Sequence, residues 1–300
     1  MAASIRFPAT QSRLQFLLKD SAVVAFLERS EAEWKDGWAK SRPPTSLEIQ
    51  ALEKRGSDCP DWQEFRILGS GSLDFITNCQ FVGQNLLVLD EQGPRLHHSR
   101  FQNCRLGSAD IDSSFLDQVW VESGAKIWQV GELSGEAHSH YCLGLAIHPG
   151  DETGSRRVFL WDGMLFSDCE AMVELPPSEQ SEVAQAIEVF LKPLKTRFSY
   201  VGTGASIQLT RTVANAFIGP GTFLKGANSI RRCLLLSSPE APTQVLDGAW
   251  VEDSVLEPGS GIKSGGQVSR SLLIEGSLVE GLVKSRIAFL APIPISPREK

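Results

Sequence analysis

Two kinds of periodicity divide the chain. Between residues 10 and 36, Leu14, Leu17, Leu18, Val23, Val24, Phe26 and Leu27 fall at spacings that put them on one stripe of an amphipathic helix. Such a stripe must pack against something. After Pro43 and Pro44, Thr45 or Ser46 can cap a second, short helix, with Glu48 in its first turn and Gly56 just past its end. From about residue 66 helical spacing gives way to short aliphatic runs broken by Gly, Asn, Asp and Ser, which is the grammar of strands and turns.

A six-residue phrase recurs in this second region: Ile76 to Phe81, Phe101 to Leu106, Val213 to Ile218, Ile230 to Leu235, Val251 to Leu256 and Val268 to Leu273. Its first and last positions are apolar, its third is polar, and its fourth is small: Cys79, Cys104, Ala216, Cys233, Ser254 and Ser271. The last four copies begin 17, 21 and 17 residues apart, so the unit is 17 residues with one insertion of four. That insertion falls in Ser237 to Thr243, where Pro239 and Pro242 cannot continue a ladder of backbone hydrogen bonds.

Apolar residues every five or six positions, such as Val201, Ile207, Val213, Ile218, Leu224 and Ile230, describe a triangular coil with one inward side chain per side. Stacked coils bury a continuous core and pair each strand with the next. The expected fold is therefore mainly β: a parallel β-helix, or triangular solenoid, with N-terminal helices and a mid-chain helical insertion. The expected divisions are a helical cap (1–65), irregular coils (66–140), an insertion of loop, strand and helix (141–200), regular coils (201–288) and a proline-rich tail (289–300). Within the insertion, Val158 to Trp161 reads as a strand. A helix beginning near Pro176 and Pro177 should show Val183, Ala186, Ile187, Phe190 and Leu191 on its apolar face. The N-terminal helices and the tail with Pro292, Pro294 and Pro297 are candidates to cover the open ends of the solenoid.

The coil phrases with glycine-rich corners resemble the left-handed β-helix superfamily of hexapeptide-repeat acyltransferases and sugar nucleotidyltransferase C-terminal domains. Two stretches are similar to a bacterial family of unknown function that combines such coils with a helical insertion: Ser46 to Gly56 leading to Asp61-Trp62, and Leu236 to Thr243 leading to Val251-Glu252-Asp253. The left hand of the coil is implied by this resemblance, as are a trimeric assembly and a transferase acting on a sugar or nucleotide-sugar, or using acyl-CoA. Members of the second family continue into a further His-rich β-helical half, of which this chain resembles only the N-terminal part. That family has no established activity, so no site residue carries over from it.

Composition adds limits. A net charge of -7 without clustered Lys and Arg excludes nucleic acid as a partner, and Arg156-Arg157 and Arg231-Arg232 read as solvated pairs. Six cysteines lack a CxxC pair or a nearby histidine group, which indicates neither a zinc site nor a redox centre. Cys79, Cys104 and Cys233 share a position with Ala and Ser and read as core fillers. Charged residues interrupt the N-terminal apolar stretch short of a leader or membrane span, so a reduced, cytoplasmic setting is expected, with no membrane partner.

Superfamily transferases use a coil histidine as general base, but none of the five histidines lies in the regular coils. The catalytic candidates are therefore His138, His140 and His148. His138 and His140 alternate, and on a strand both rings would point the same way. With them go the ligand-binding candidates Asp151, Glu152, Arg156 and Glu240, the last on the proline loop. Solvated loop histidines and a rigid capping turn are the plain alternatives, and His97-His98 reads as surface. No metal set and no cofactor is evident. A small-molecule ligand, acyl-CoA or a nucleotide-sugar, remains the functional expectation, and a non-catalytic assembly module is the other reading. Trp120, Trp128 and Trp161 are expected to pack under the inserted helix.

Overall fold

The computed structural model describes residues 21–149, 156–281, 284–286 and 289–290, the last five by backbone alone. Three all-parallel sheets of ten, nine and nine strands form a three-sided solenoid. The first face runs from Phe65–Gly69 to Phe289–Leu290, the second from Ile76–Thr77 to Leu278–Glu280, and the third from Gln80–Val82 to Lys284–Arg286. Each circuit of the chain adds one strand to every face, so a strand's partner is the equivalent strand of the next coil.

The inward column of each face is aliphatic or aromatic and sealed. On the first face Leu106, Val121, Val201, Ile218 and Leu235 lie in register, and on the third Leu116, Leu133, Val213 and Ile230 do the same. All are at most 1% exposed. Ile230 pairs with Val251 and Val251 with Val268, which fits the 17-residue unit and its single expansion. The small fourth position of the phrase lies at the corner between the third and first faces, where Cys104, Ala216, Cys233, Ser254 and Ser271 are buried.

One copy differs. Ile76 pairs with Leu96 on the second face, whereas Phe101 and Val213 lie on the third. The Ile76 phrase therefore turns the preceding corner of the triangle. The same apolar–polar–small grammar serves either corner, because each needs a polar residue at the bend and a small one just inside it.

That bend residue has positive φ. Along the corner from third to first face these residues are Asn103 (52°), Gln118 (55°), Asn215 (52°), Arg232 (49°), Asp253 (50°) and Arg270 (48°). Asn and Asp tolerate the left-handed region through local hydrogen bonding, but for arginine it carries a cost of about 1–2 kcal/mol. Arginine at two of these bends therefore calls for compensating contacts.

The helices explain the outer side of the first face. Helix α1 (Ala22–Lys40) starts at Ser21, whose hydroxyl accepts from the Val24 amide, and helix α2 (Ser46–Lys54) carries a capping box between Thr45 and Glu48. Gly56 follows at φ 79°. In α1, Val23, Val24, Phe26 and Leu27 are buried as the stripe requires, while Leu14, Leu17 and Leu18 lie outside the described residues, as do Pro292, Pro294 and Pro297. The two helices do different things. Leu52 of α2 enters the luminal core and Arg55 donates to the carbonyls of Leu73 and Ile76, closing the first coil. Helix α1 instead lies on the outer first face, with Phe26 against Trp120, Tyr200 and Phe217.

The chain leaves the solenoid at Gly135, earlier than residue 141, and rejoins it at Ser199. The amide of Gly135 donates to Asp117 O and that of Ser199 to Gln118 O, so the coil closes as if the intervening segment were absent. A β-carbon at Gly135 would lie 2.0 Å from Arg197 O, which is why glycine stands at this junction. The insertion contains the antiparallel strands Ala146–Ile147 and Val158–Phe159, a helix α3 (Phe166–Val173) that the periodicity did not predict, and helix α4 (Pro177–Leu191) with proline in its first turn. Together with α1 it covers the outer column Trp120, Tyr200, Phe217, Leu234, Val255 and Leu272. Burying each such side chain is worth about 2 kcal/mol. The first face is thus apolar on both sides, while the outward positions of the other two are mostly polar, with single exposed apolar residues such as Trp128 and Trp250 among them. Trp120 and Trp161 pack beneath this cover, but Trp128 lies on the second face and is 37% exposed. No described helix is long and apolar enough to cross a membrane.

Candidate functional site

A cleft of about 680 Å³ opens where the insertion meets the corner between the third and first faces. One wall is helix α4 and its continuation, presenting Ala184, Ile187, Glu188, Leu191, Lys192 and Lys195. The opposite wall is the segment from His138 to Ala146 with Phe159, and the solenoid contributes Arg232 and Asp253. Ala184, Ile187, Glu188, Leu191 and Lys192 share a side of α4 because they recur three and four residues apart. Gly144, at φ 73°, lets the walls approach: a β-carbon there would lie 2.6 Å from Ile187 Cγ2 and 2.8 Å from Leu191 Cδ1.

The corner residues with positive φ hold the insertion in place. Asn215 accepts from the Ser139 hydroxyl and donates to Glu136 Oε2 at 3.1 Å. Two coils on, Asp253 takes a two-point contact from Arg232 at 2.6 and 3.0 Å, and Glu252 accepts from the same guanidinium at 2.7 Å. Those carboxylates hold Arg232 well above the ordinary arginine pKa, chiefly through the Asp253 hydrogen bond. One coil further, Arg270 donates to Ala146 O at 3.1 Å. These bonds supply the compensation that arginine needs in a left-handed bend.

His138 and His140 both line this cleft, but not as strand neighbours. Residue 138 has φ 64°, and a single bridge joins Ser139 to Thr196 with amide bonds of 2.8 and 3.0 Å. His138 is exposed and His140 half-buried. Burial pushes the His140 ring below its ordinary pKa, and the nearby Lys195 charge acts in the same direction, so both favour the uncharged ring. Its Nδ1 is buried and has no hydrogen-bond partner among the described residues.

The remaining candidates are elsewhere. His148 Nδ1 lies 3.2 Å from Arg156 O at the base of the hairpin tip, away from the cleft lining. Asp151 and Glu152 lie outside the described residues. Glu240 is exposed on a tight turn, in which Ala241 and Ser238 exchange backbone hydrogen bonds and the Thr243 hydroxyl donates to Leu236 O. Ala241 O accepts from Gly259 N of the following coil at 2.8 Å, so this loop is a corner cap and does not reach the cleft. His97 and His98 sit on the solenoid surface beside Thr77, Asn78 and Asp112. The six thiols are free; burial pushes Cys104 and Cys233 up to about 12, as core fillers require.

Lys192, Lys195 and Asp253 are not among the candidates the sequence offers, and Arg232, expected to be half of a solvated pair, is instead bound by Asp253 and Glu252. For Arg232 and Asp253 a signal existed: both occupy the third position of the repeated phrase, where Asn215 shows the type of residue the bend prefers. For the lysines there was none, since a lysine after a helix is usually only solvated.

A second buried feature joins three parts of the chain. Glu257, 5% exposed, accepts from Gly163 N at 2.7 Å, while Asp162 Oδ1 accepts from Ser21 Oγ at 2.7 Å at the start of α1. Burial pushes Glu257 up to about 8, and the Asp162 and Glu275 carboxylates add to the rise.

Comparison with known proteins now places the chain. It is 24% identical over 265 residues to an uncharacterized protein of Treponema pallidum (strain Nichols), an alignment covering 79% of this chain and 36% of that protein. The chain thus spans little more than a third of the length of the curated relative it matches. A family model described as a domain of unknown function, DUF4954, matches residues 42–285, which takes in α2, all but the last strands of the solenoid and both walls of the cleft. The protein belongs to the DUF4954 family.

Proposed function

We propose that this protein is a transferase-like, ligand-binding solenoid whose site is the cleft between the insertion and the solenoid corner. Its ligand is an activated small molecule of the nucleotide-sugar or acyl-CoA kind. The observation that carries this reading is the lining of the cleft: His140, half-buried and with its pKa lowered by that burial, stands in it together with Lys192 and Lys195. A neutral imidazole is the form that removes a proton from an acceptor hydroxyl or amine during acyl or nucleotidyl transfer. Lys192 and Lys195 supply charge for an anionic donor. In this reading the coil is left-handed and of the hexapeptide kind, which the resemblance and the small residue at each corner support.

The test is thermal unfolding in the presence of UDP-sugars and acyl-CoA esters. A ligand at a hundred times its Kd stabilises a one-site protein by about 2.7 kcal/mol. The shift should vanish in His140→Ala and Lys195→Ala. No shift with any such compound, or a shift indifferent to both substitutions, would sink the proposal.

A non-catalytic assembly module is the second reading. It draws on exposed Trp128 and Leu209, which lie on adjacent coils, and on Trp250 and Leu278 of the two uncovered faces. A trimer joined through those faces is its specific form, checked by sedimentation of Trp128→Lys and Trp250→Lys against the unmodified protein. Unchanged sedimentation would dismiss it.

A further inference from the structure

The cleft has two unlike ends. At one end the Ser139–Thr196 bridge brings the segment carrying His138 and His140 beside Lys195, whose charge acts on the His140 ring. Lys192 terminates α4 on the same side. At the other end the strands Ala146–Ile147 and Val158–Phe159 set Ala146 and Phe159 in the lining, together with Ala184 from the preceding turns of α4. The solenoid corner marks both limits: Asn215 binds Ser139 at the histidine end and Arg270 binds Ala146 O at the apolar end. Asn215 and Arg270 stand three coils apart, and strands repeat at about 4.8 Å, so the axis of the cleft extends for about 14 Å.

Charge is distributed just as unevenly. Arg232 is held by Asp253 and Glu252, so its charge is already balanced. Lys192 and Lys195 form no ion pair within 4.0 Å among the described residues, and Glu188 is the remaining carboxylate in the lining. Among the described residues, Glu188 on the flank of α4 is the charged side chain lining the apolar end, and the Arg270 guanidinium beside it is engaged by Ala146 O. A wholly polar ligand would leave that end covered by nothing that it can pair with, and an uncharged one would make no use of the two lysines.

We propose that the cleft takes an amphipathic anion: a medium-length aliphatic chain bearing a terminal phosphate or carboxylate. The head lies between Lys192, Lys195 and His140, and the chain runs along the corner toward Ala146 and Phe159. This rests on the reading of the cleft as a ligand site and narrows it to the acyl kind, a fatty chain with an anionic head, in place of the nucleotide-sugar. Phosphate and carboxylate heads share the same recognition, an anion against two ammonium groups with a neutral imidazole alongside.

Isothermal titration below the micellar concentration tests it, with decyl phosphate, decanoate, decanol, inorganic phosphate and UDP-glucose as separate probes on the full chain. Decyl phosphate or decanoate should bind at least tenfold more tightly than decanol or inorganic phosphate, and the tighter of the two identifies the head group. Lys192→Ala/Lys195→Ala, both exposed in the unmodified protein, should lose tenfold or more toward the anions and nothing toward decanol. Ala184→Glu should weaken the aliphatic anions; an unchanged circular dichroism melting curve shows that neither variant has unfolded. Equal binding of decanol and decyl phosphate overturns the proposal, because the head would then contribute nothing. Binding of UDP-glucose alone, lost in the lysine variant, overturns it too while sparing the cleft as a ligand site. Failure of every probe to bind overturns both.

Discussion

Replacing Glu257 by glutamine should make the protein more stable at pH 9 and have a much smaller effect at pH 5. The Glu257 carboxyl is sealed between the solenoid corner and the turn at Gly163, with Asp162 and Glu275 as the charges that act on it. Its pKa stands at about 8 against an ordinary value of 4.5. The folded protein therefore holds a proton that the unfolded chain gives up above pH 4.5. Stability from this group is fully present below pH 4.5 and drains away as the pH rises to about 8. At about 1.4 kcal/mol per pKa unit, the whole loss has a ceiling of about 5 kcal/mol. Glutamine keeps an acceptor for the Gly163 amide but cannot ionise. Any constant cost of seating its NH2 group is the same at both pH values and cancels in the comparison. Urea unfolding followed by far-ultraviolet circular dichroism at pH 5 and pH 9 measures the difference. The advantage of the Glu257→Gln variant over the unmodified protein should grow by several kcal/mol across that interval. Curves for the two proteins that stay parallel from pH 5 to pH 9 would refute the reasoning, since a carboxyl that ionises freely cannot be sealed in this way.

Three further outcomes follow from packing. Val268→Asp places a carboxylate in the inward column of the third face, where the valine is 2% exposed, and should cost several kcal/mol and unfold the last coils; an unchanged melting temperature would disprove the register. Arg270→Ala removes the bond to Ala146 O and should cost about 1–2 kcal/mol, read as faster hydrogen exchange at the Ala146–Ile147 and Val158–Phe159 strands with the solenoid amides unaffected. Gly144→Ala combines a positive φ with a 2.6 Å approach to Ile187, so thermal unfolding should show a loss of more than about 1 kcal/mol, whereas Gly204→Ala, with open space around it, should cost only the backbone strain.

The solenoid was legible because its constraint repeats. Every coil needs one large apolar residue per face and a small one at each corner, so Val213, Ile230, Val251 and Val268 announce their common column by spacing alone. The Ile76 phrase misled for the same reason, since two corners of the triangle ask for the same grammar. The cover over the first face was only half readable. Helix α4 declares itself by its stripe and its proline, but the outer column Tyr200, Phe217, Leu234 and Val255 occupies alternate positions in strands too short to show a period. Helix α3 spans eight residues and leaves Phe166 exposed, so its stripe is faint. The cleft was the least visible part. His138 and His140 could be singled out by chemistry, but their company of Lys192, Lys195 and Arg232 comes from segments between 50 and 100 residues away that meet only because the chain closes its coil across the insertion.

Whether the cleft is a ligand site is tested most directly by nuclear magnetic resonance of the five histidine rings, labelled with carbon-13, during titration with decyl phosphate or a nucleotide-sugar. His138 and His140 line the cleft, while His97, His98 and His148 lie apart from it and serve as internal references. A ligand in the cleft should move the His138 and His140 signals with saturation and leave the other three in place. Movement of the reference rings alone, or an unperturbed spectrum at concentrations where calorimetry detects binding, would place the ligand elsewhere and contradict the assignment.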